Sequence, residues 1–435
     1  MLLFKKPNDE RNNRDGRVSG RSGDAATLTA SQRELPQPSR QSLRALDWFI
    51  FFLADVQTGF GPFIAVYLTT EKWTQVEIGL VLSIAGIVGL IGQVPGGAII
   101  DAAKSERLVA GLAIATIGLV ALTYAMWPIF LVVVTAATLH AAASCVLGPA
   151  IAAISLGLVG PAAMGERLGR NARFASLGNG GAAAVMGTAG YLLSSRSVFF
   201  VTCALTIPTL IALSRIREDE VDVVRAHGAL REVADRPETH VWALLRQRPL
   251  LIFAASVLLL QLANAAMLPL MAGVVTTRSP SWAPVLIAAC IIVPQAIVAL
   301  TSPSVGRHAQ SWGRRPLLLI GFSALAVRGL LFATVHDPYL LVLVQVFDGI
   351  TAAVFAVMVP LIVADVAFGS GHFNLAQGIV GTATGIGASL STVLAGYISD
   401  TFGSPWAFAV LSVIAMLGLL LIWLVMPETR RSQTP

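Results

Sequence analysis

The sequence is poor in charged residues and in cysteine. Charged residues make up only 12% of its 435 positions, whereas about 25% is usual in soluble domains. Its three cysteines, Cys145, Cys203 and Cys290, lie inside apolar runs and show no CxxC or Cys/His spacing. Disulfides, a structural zinc site and a cysteine nucleophile are therefore not expected, and we predict neither a metal nor a cofactor.

Features of soluble binding proteins are missing as well. No basic face interleaved with aromatic residues is present, so nucleic acid is not an expected partner. The Gly178-x-Gly180 pair is not preceded by a strand and does not indicate a nucleotide-binding loop. Residues 1–43 lack the apolar core and cleavage site of a secretory signal, and their Arg, Asn, Ser and Gly content predicts a disordered cytoplasmic tail.

Hydrophobic residues are abundant, at 55% of the sequence. A membrane-spanning helix needs about 20 mostly apolar residues, and twelve stretches meet this requirement. They begin near Leu46, Val76, Leu108, Ile129, Leu168, Val198, Leu250, Ala283, Leu317, Leu340, Leu375 and Trp406. The sequence therefore predicts an all-α membrane protein with twelve transmembrane helices, numbered here as spans 1 to 12.

A charged segment separates these spans into two groups of six. We predict an N-terminal half over residues 44–217, a cytoplasmic linker over 218–247, a C-terminal half over 248–427 and a cytoplasmic tail over 428–435. Related residues recur at nearly equal separations in the two halves: Pro62 and Pro269, Gly97 and Gly306, Pro149 and Pro360, Gly190 and Gly396. Such repeats indicate two pseudo-symmetric halves.

Basic residues alternate between the connections. One side has Lys104, Arg107, Arg167, Arg170, Arg173, Arg307, Arg314 and Arg315, and the other has little beyond Lys72, Arg196 and Arg278. Because cytoplasmic loops carry the excess of Lys and Arg, both termini are expected in the cytoplasm. We predict a multi-pass protein of the cell inner membrane, with the lipid bilayer as its surroundings.

A short motif occurs at equivalent places in both halves. Between spans 2 and 3 it comprises Gly97, Asp101, Lys104 and Arg107, and between spans 8 and 9 it comprises Gly306, Gln310, Gly313, Arg314 and Arg315. A small residue for close helix packing, an acid at a helix end and a basic turn resemble the loop signature of the major facilitator superfamily. The second copy departs from that signature because Gln310 replaces the acid.

This resemblance implies a carrier that alternates between two states by rocking its halves, with spans 1, 4, 7 and 10 lining the cavity. It also implies that Asp101 helps to hold one state closed. The alternative is that the basic residues of the motif only fix topology. The ending Pro427-Glu428-Thr429-Arg430 is similar to the tail of sugar-porter relatives, but the companion motif after span 6 is missing.

Ionisable residues at membrane depth are the strongest functional candidates, since each costs at least a few kcal/mol unless it is paired or hydrated. Asp55, His140, Arg328 and Asp348 lie near the middle of their spans. We interpret Arg328 and Asp348 as a structural ion pair, with a transport role for either as the alternative. Asp55 has no cation at its depth on span 1 and is predicted to couple transport to protons, assisted by His140, which could instead be a hydrogen-bonded packing residue.

Neutral polar residues accompany these groups. Gln57 and Thr58 lie in span 1, and Gln261 and Asn264 occupy related positions in span 7. Their amides and hydroxyl could bind substrate or could bridge helices, and the sequence leaves both open.

The sequence predicts a secondary active transporter of a small organic solute rather than an enzyme. We expect proton-coupled efflux by a monomer, with substrate and protons as its only soluble partners. A proton-coupled importer of a sugar or other metabolite is the alternative. A polytopic membrane enzyme or scramblase, or a membrane sensor, is a more distant one, because no nucleophile cluster, metal-ligand cluster or signalling domain is present.

Overall fold

The computed structural model describes residues 38–58, 61–229, 247–279 and 282–430. Its α-helices cover Arg40–Thr58, Gly61–Thr70, Gln75–Asp101, Glu106–Met126, Phe130–Leu192, Ser197–Ser214, Val223–Ala226, Arg248–Asn264, Met267–Arg278, Ala283–Trp312, Arg314–Thr334, Pro338–Ala367, Phe373–Phe402 and Ser404–Val425. A short 3-10 helix covers Glu218–Glu220. The described part of the chain contains no strand.

These helices form twelve membrane spans. Ten helical stretches of the described chain are long and apolar enough to cross a bilayer. The longest, Phe130–Gly190, has 61 residues, which corresponds to about 90 Å, three times the thickness of a hydrocarbon core. Gly160 interrupts it with non-helical angles of φ 71° and ψ 174°, so spans 4 and 5 lie on either side of this glycine. Arg40–Thr58 and Gly61–Thr70 together supply span 1.

Span 7 is also supplied by two helices, Arg248–Asn264 and Met267–Arg278, with a break between them. The remaining spans are single helices in chain order. The predicted all-α fold of twelve spans is confirmed, and spans 1–6 and 7–12 are called the N-terminal and C-terminal halves below. Phe49 and Phe199 are buried in the apolar core of the first half, and Phe253 and Phe322 are buried in that of the second. The second core also includes Ala152, Leu156, Met164 and Leu168 of spans 4 and 5.

Two spans begin earlier than the apolar pattern predicts. Span 1 begins at Arg40 rather than near Leu46, and span 5 follows Gly160 directly rather than beginning near Leu168. A charged side chain such as Arg167 predicts a loop when only the sequence is considered. In the structure Arg167 lies inside the helix, with only 5% of its surface exposed. Its charge is paired within the fold, so the helix continues through it.

The first part of the predicted linker lies at one end of the bundle and touches both halves. The Asp222 N–H donates to the carbonyl of Gly157 at 3.2 Å, and the Gly369 N–H donates to the carbonyl of Gly228 at 2.6 Å. Ser39, which precedes span 1, donates through its N–H to Glu220 Oε2 at 2.9 Å. The end of the bundle that carries residues 218–229 is called the linker face below. Residues 230–246 of the predicted linker lie outside the described residues.

Candidate functional site

A cavity of about 370 Å³ lies between the two halves, near the middle of the bundle. The repeat-related prolines Pro149 of span 4 and Pro360 of span 10 both line it, so the duplicated positions of the sequence meet across one space. The other lining residues are Ile50, Gln93, Gly148, Ile151, Ala152, Leu168, Asn171, Ala172, Ala175, Ala356, Val359, Gln377, Val380, Gly381 and Thr384. The cavity thus draws on spans 1, 2, 4, 5, 10 and 11.

The polar groups of this cavity are uncharged. Among the described residues that line it, these groups are the side chains of Gln93, Asn171, Gln377 and Thr384, and none carries a charge. Asn171 is held in place, because it accepts from Arg167 Nε at 2.6 Å and donates to Ser155 Oγ at 2.8 Å. None of these four residues was predicted from the sequence. For Gln93 and Gln377 the available signal was a lone amide in an apolar run, the signal by which Gln57 and Gln261 were selected.

The first contact between the halves closes the cavity towards the linker face at spans 2 and 11. A Cβ on Gly97 would lie 2.1 Å from the carbonyl oxygen of Asn374, and one on Gly378 would lie 2.3 Å from that of Gln93. Only glycine permits backbones to approach this closely. Spans 2 and 11 therefore touch along two turns of helix near the linker face.

Asp101 adds hydrogen bonds to this contact. Its Oδ1 accepts from the backbone N–H of Asn374 at 3.1 Å and from Nδ2 of the same residue at 2.8 Å. Its Oδ2 accepts from the N–H of Leu375 at 2.7 Å. These donors belong to the first turn of span 11, where free N–H groups and the helix dipole favour a carboxylate. Asp101 of the N-terminal half therefore caps a helix of the C-terminal half.

The second contact between the halves lies at spans 5 and 8. A Cβ on Gly306 would lie 2.3 Å from the carbonyl oxygen of Gly165, and Ser302 Oγ donates to the carbonyl of Gly169 at 3.0 Å. Gln310 donates through Nε2 to the carbonyl of Ala162 at 3.2 Å. The second motif copy thus makes the symmetry-related contact with an amide where the first copy uses an acid.

Further from the linker face the close approaches are fewer, although a Cβ on Gly385 of span 11 would still lie 2.9 Å from Leu90 of span 2. A Cβ on Gly86 or Gly89 of span 2, or on Gly180 or Gly187 of span 5, would meet no described atom within 4 Å. The contacts between the halves are therefore concentrated towards the linker face.

The basic residues Arg314 and Arg315 of the second motif make their contacts with other residues of the C-terminal half. Arg314 is 3% exposed, and its Nε lies 2.8 Å from Asp365 Oδ2 of span 10. Glu428 accepts from the backbone N–H groups of Arg314 at 2.9 Å and Arg315 at 3.1 Å. Gly313, with φ 94°, turns the chain between spans 8 and 9 in the left-handed region. Glu428 thus caps span 9 from the end of the chain, a role that the sequence did not indicate.

The carboxylate of Glu428 makes this cap dependent on pH. Burial alone raises the pKa of Glu428, but N–H groups of Arg314, Arg430 and Arg315 and the charge of Arg314 outweigh it, so its pKa lies below the ordinary 4.5. A depressed folded-state pKa means that the stabilisation is complete above the ordinary value and is lost as pH falls through the folded-state pKa.

We expect Glu428→Gln to lower the free energy of unfolding by about 1 kcal/mol at pH 7, since this half-exposed group is partly screened. The difference from the parent protein should shrink below pH 4.5. Thermal unfolding in detergent at several pH values measures this difference. The control is Asp400→Asn, which removes an exposed carboxyl at the end of span 11 that lies away from the linker face. An equal deficit at pH 7 and pH 4 would argue against the charged cap.

A second charged group is buried in the C-terminal half at the break in span 7. Arg328 of span 9 is 1% exposed, and its Nη1 lies 2.6 Å from Asp348 Oδ1 of span 10. The same Nη1 donates to Asn264 Oδ1 at 2.6 Å. Asn264 ends the first helix of span 7, so this cluster joins three spans. Gln261, one turn earlier, packs against Gly387 of span 11, and neither amide lines the central cavity.

The remaining predicted residues are distributed as follows. The Nε2 atom of His140 lies 3.5 Å from Ser144 Oγ on the same helix. Lys104 is exposed, and Arg107 donates to the carbonyl of Ser214 at 3.4 Å. The side chains of Asp55, Gln57 and Thr58 lie outside the described part of the structure.

A buried network in the N-terminal half was not predicted at all. Asp47 of span 1 is 2% exposed and lies 2.5 Å from Arg167 Nη2 and 2.6 Å from Arg170 Nη2. Both arginines were expected to lie in a loop and to set the topology. Here they fix span 1 to span 5 and, through Asn171, reach the wall of the cavity.

Comparison with known proteins agrees with this architecture. The model of the Major Facilitator Superfamily matches residues 47–298 and 262–435. Uncharacterized MFS-type transporters from two strains of Mycobacterium tuberculosis are each 39% identical over 395 residues, covering 89% of this chain and 93% of theirs. A puromycin resistance protein of Streptomyces alboniger is 28% identical over 127 residues, covering 29% of this chain and 25% of that protein.

A solved structure shows the same fold. It is a proton:xylose symporter of the superfamily bound to 6-bromo-6-deoxy-D-glucose, with a TM-score of 0.67, 15% identity, and coverage of 89% of this chain and 95% of the symporter. The family model and the long relatives extend over both six-span halves and the contacts between them. This chain therefore belongs to the major facilitator superfamily.

Proposed function

We propose that this membrane transporter exports a small organic solute in exchange for protons, by rocking its two halves about the central cavity. The observation that carries the proposal is the cavity itself, enclosed towards the linker face and lined by apolar and neutral polar groups. Its volume falls in the range of small-molecule sites. The absence of lining charges among the described residues suits a neutral or amphipathic solute better than a multiply anionic one.

The proposed orientation places the linker face in the cytoplasm. Lys104 lies in a connection at this face, and Arg307 and Arg315 lie in helix ends next to one. Basic residues at such positions stay on the cytoplasmic side. The described contacts between the halves are then on the cytoplasmic side, and the arrangement corresponds to an outward-facing state. We further propose a monomer in the cell inner membrane, since the residues that line the cavity all come from one chain.

Reporter fusions test this orientation. Fusions after Arg107 and Arg315 should report the cytoplasm, and a fusion after Arg278 should report the periplasm. A periplasmic signal after Arg315 would contradict both the orientation and the assignment of equivalent loops in the two halves.

Export is favoured over import by the partial likeness to a puromycin resistance protein. The fold is also that of a proton:xylose symporter, so import remains the alternative to be tested. A thermal-shift screen of the purified protein that includes puromycin and xylose identifies a ligand. Uptake of that ligand into everted membrane vesicles against right-side-out vesicles then gives the direction of transport.

For energy coupling, we propose Asp55 as the proton-binding group, with His140 as its helper. Asp348 is a poorer candidate, because a proton on it would leave the buried guanidinium of Arg328 without its counter-charge. The sequence places Asp55 near the middle of span 1, with no cation at that depth on the same helix, and a carboxyl there is costly in lipid unless it is paired or hydrated.

Asp55→Asn should abolish flux driven by a pH gradient while exchange of labelled for unlabelled ligand continues. The measurement is ligand flux in sealed proteoliposomes with and without an imposed gradient. Glu166→Gln, which removes an exposed carboxyl from the same half, is the control and should retain gradient-driven flux. Full gradient-driven flux in Asp55→Asn would exclude it as the coupling group.

A further inference from the structure

A second pocket, of about 460 Å³, lies at the linker face between spans 1 and 5. Its lining residues are Arg40, Leu43, Arg44, Val159, Ala163, Glu166, Arg167 and Arg170. All of them belong to the N-terminal half. The pocket is therefore separate from the central cavity and from the contacts between the halves.

The charge of this pocket is unbalanced. Two of its arginines, Arg167 and Arg170, have a carboxylate partner in Asp47, and Glu166 is the single acid among the lining residues. Arg40 and Arg44 are one helical turn apart and exposed. Within the described chain neither of these two makes an ion pair or a side-chain hydrogen bond. Their guanidinium groups remain available for a ligand.

An aromatic surface continues from the pocket towards the membrane core. Trp48, one turn after Arg44, is 52% exposed and stacks on Phe52 at a centroid distance of 5.9 Å. The guanidinium of Arg170 lies 5.6 Å above the ring of Phe174, which contacts Trp48 edge-on. Trp48 points away from the central cavity, because Ile50, about 200° further round the helix, lines that cavity.

An exposed tryptophan with arginines one helical turn away is typical of the zone where lipid headgroups meet acyl chains. We propose that this pocket binds an anionic glycerophospholipid. Its phosphate accepts hydrogen bonds from Arg40 and Arg44, and its acyl chains lie along Trp48 and Phe52. Basic pockets between transmembrane helices bind such headgroups by charge and by forked guanidinium hydrogen bonds. The inference rests on the membrane fold and is independent of the proposed cargo and coupling.

Native mass spectrometry of the full-length protein in detergent tests the site. The probes are phosphatidylglycerol and phosphatidylcholine with identical acyl chains. The test variant is Arg40→Gln/Arg44→Gln, and the matched control is Arg248→Gln/Arg307→Gln, which removes two exposed arginines at the linker face of the other half. Circular dichroism of each variant checks that the helices are retained.

The parent protein should retain phosphatidylglycerol in preference to phosphatidylcholine. Because each arginine near the surface contributes about a fivefold change in affinity, the test variant, which lacks two of them, should bind phosphatidylglycerol about 30-fold more weakly. The control variant should bind it like the parent. Equal binding of the two lipids by the parent, or equal losses in both double variants, would overturn the proposal.

A competition arm separates the lipid from free phosphate. Inorganic phosphate should displace no more phosphatidylglycerol than sodium chloride of equal ionic strength does. Specific displacement by inorganic phosphate, lost in the Arg40→Gln/Arg44→Gln variant, would mean that the pocket is a phosphate site and that the lipid assignment is wrong.

Discussion

Asp348→Asn is expected to destabilise the C-terminal half by about 3–5 kcal/mol, the usual cost of leaving a buried charge without its partner. Arg328 is 1% exposed, and Asp348 is the carboxylate that balances it, at 2.6 Å. The neutral oxygen of Asn264 remains in contact with the guanidinium, but it supplies no negative charge. The loss should appear as a lower thermal unfolding temperature in detergent and as a poorly monodisperse protein.

The double variant Arg328→Met/Asp348→Leu distinguishes an ion pair from a simple packing defect. Removing both charges together should recover most of the lost stability, because buried pairs can often be replaced by apolar residues of similar volume. Asp400→Asn, which removes an exposed carboxyl from the same half, should leave the unfolding temperature unchanged. A double variant no more stable than Asp348→Asn would show that the pair is not the cause.

The same variants also bear on coupling. If Asp348→Asn folds normally but loses gradient-driven flux, while Asp55→Asn keeps it, the roles proposed for the two acids must be exchanged. The two outcomes are separable because stability and flux are measured on the same purified preparations.

Gly97→Ala is expected to shift the protein away from the state in which the linker face is closed. The added Cβ would lie 2.1 Å from the backbone oxygen of Asn374, so spans 2 and 11 must separate. Overpacking of this kind costs about 1–3 kcal/mol, which corresponds to a roughly 5- to 150-fold change in the ratio of the two states. Gly86→Ala in the same span is the matched control, since its Cβ meets open space.

Distance measurements between nitroxide labels at positions 104 and 312 report the change. Lys104 and Trp312 are exposed on the two halves at the linker face, and the native cysteines are first replaced. Gly97→Ala should lengthen the distance, and Gly86→Ala should not. Identical distributions in both variants would mean that the close glycine contact does not control closure.

Asp101→Asn should act in the same direction but more weakly, because an acid at a helix end contributes only about 0.3–1 kcal/mol. Gln310→Ala should have a smaller effect still, since that residue makes a single hydrogen bond to Ala162. Comparable and full transport rates in Asp101→Asn and Gln310→Ala would contradict the role of Asp101 in holding the linker face closed.

The sequence by itself determined the number of spans and the two related halves. A bilayer requires about 20 apolar residues per helix and backbone groups that are hydrogen-bonded within the helix. Both requirements produce a pattern that can be recognised along the sequence. The repeated glycines and Asp101 were also identified from the sequence, because helix ends and close packing have local signatures. The pairing of Arg328 with Asp348 was also predicted from the sequence, because their spans are consecutive.

Only the tertiary structure decided which charges are buried in pairs and which amides face the cavity. Asp47 binds Arg167 from 120 positions away, and Glu428 caps Arg314 from 114 positions away. Arg167, Arg314 and Glu428 were assigned to loops or to the tail, and Asp47 was assigned no role. An apolar pattern indicates which carbon atoms are buried, but not which charge is neutralised by a distant partner. Gln93 and Gln377 likewise line the cavity only because spans 2 and 11 meet across the two halves. That meeting depends on the packing of whole helices, which no local pattern specifies.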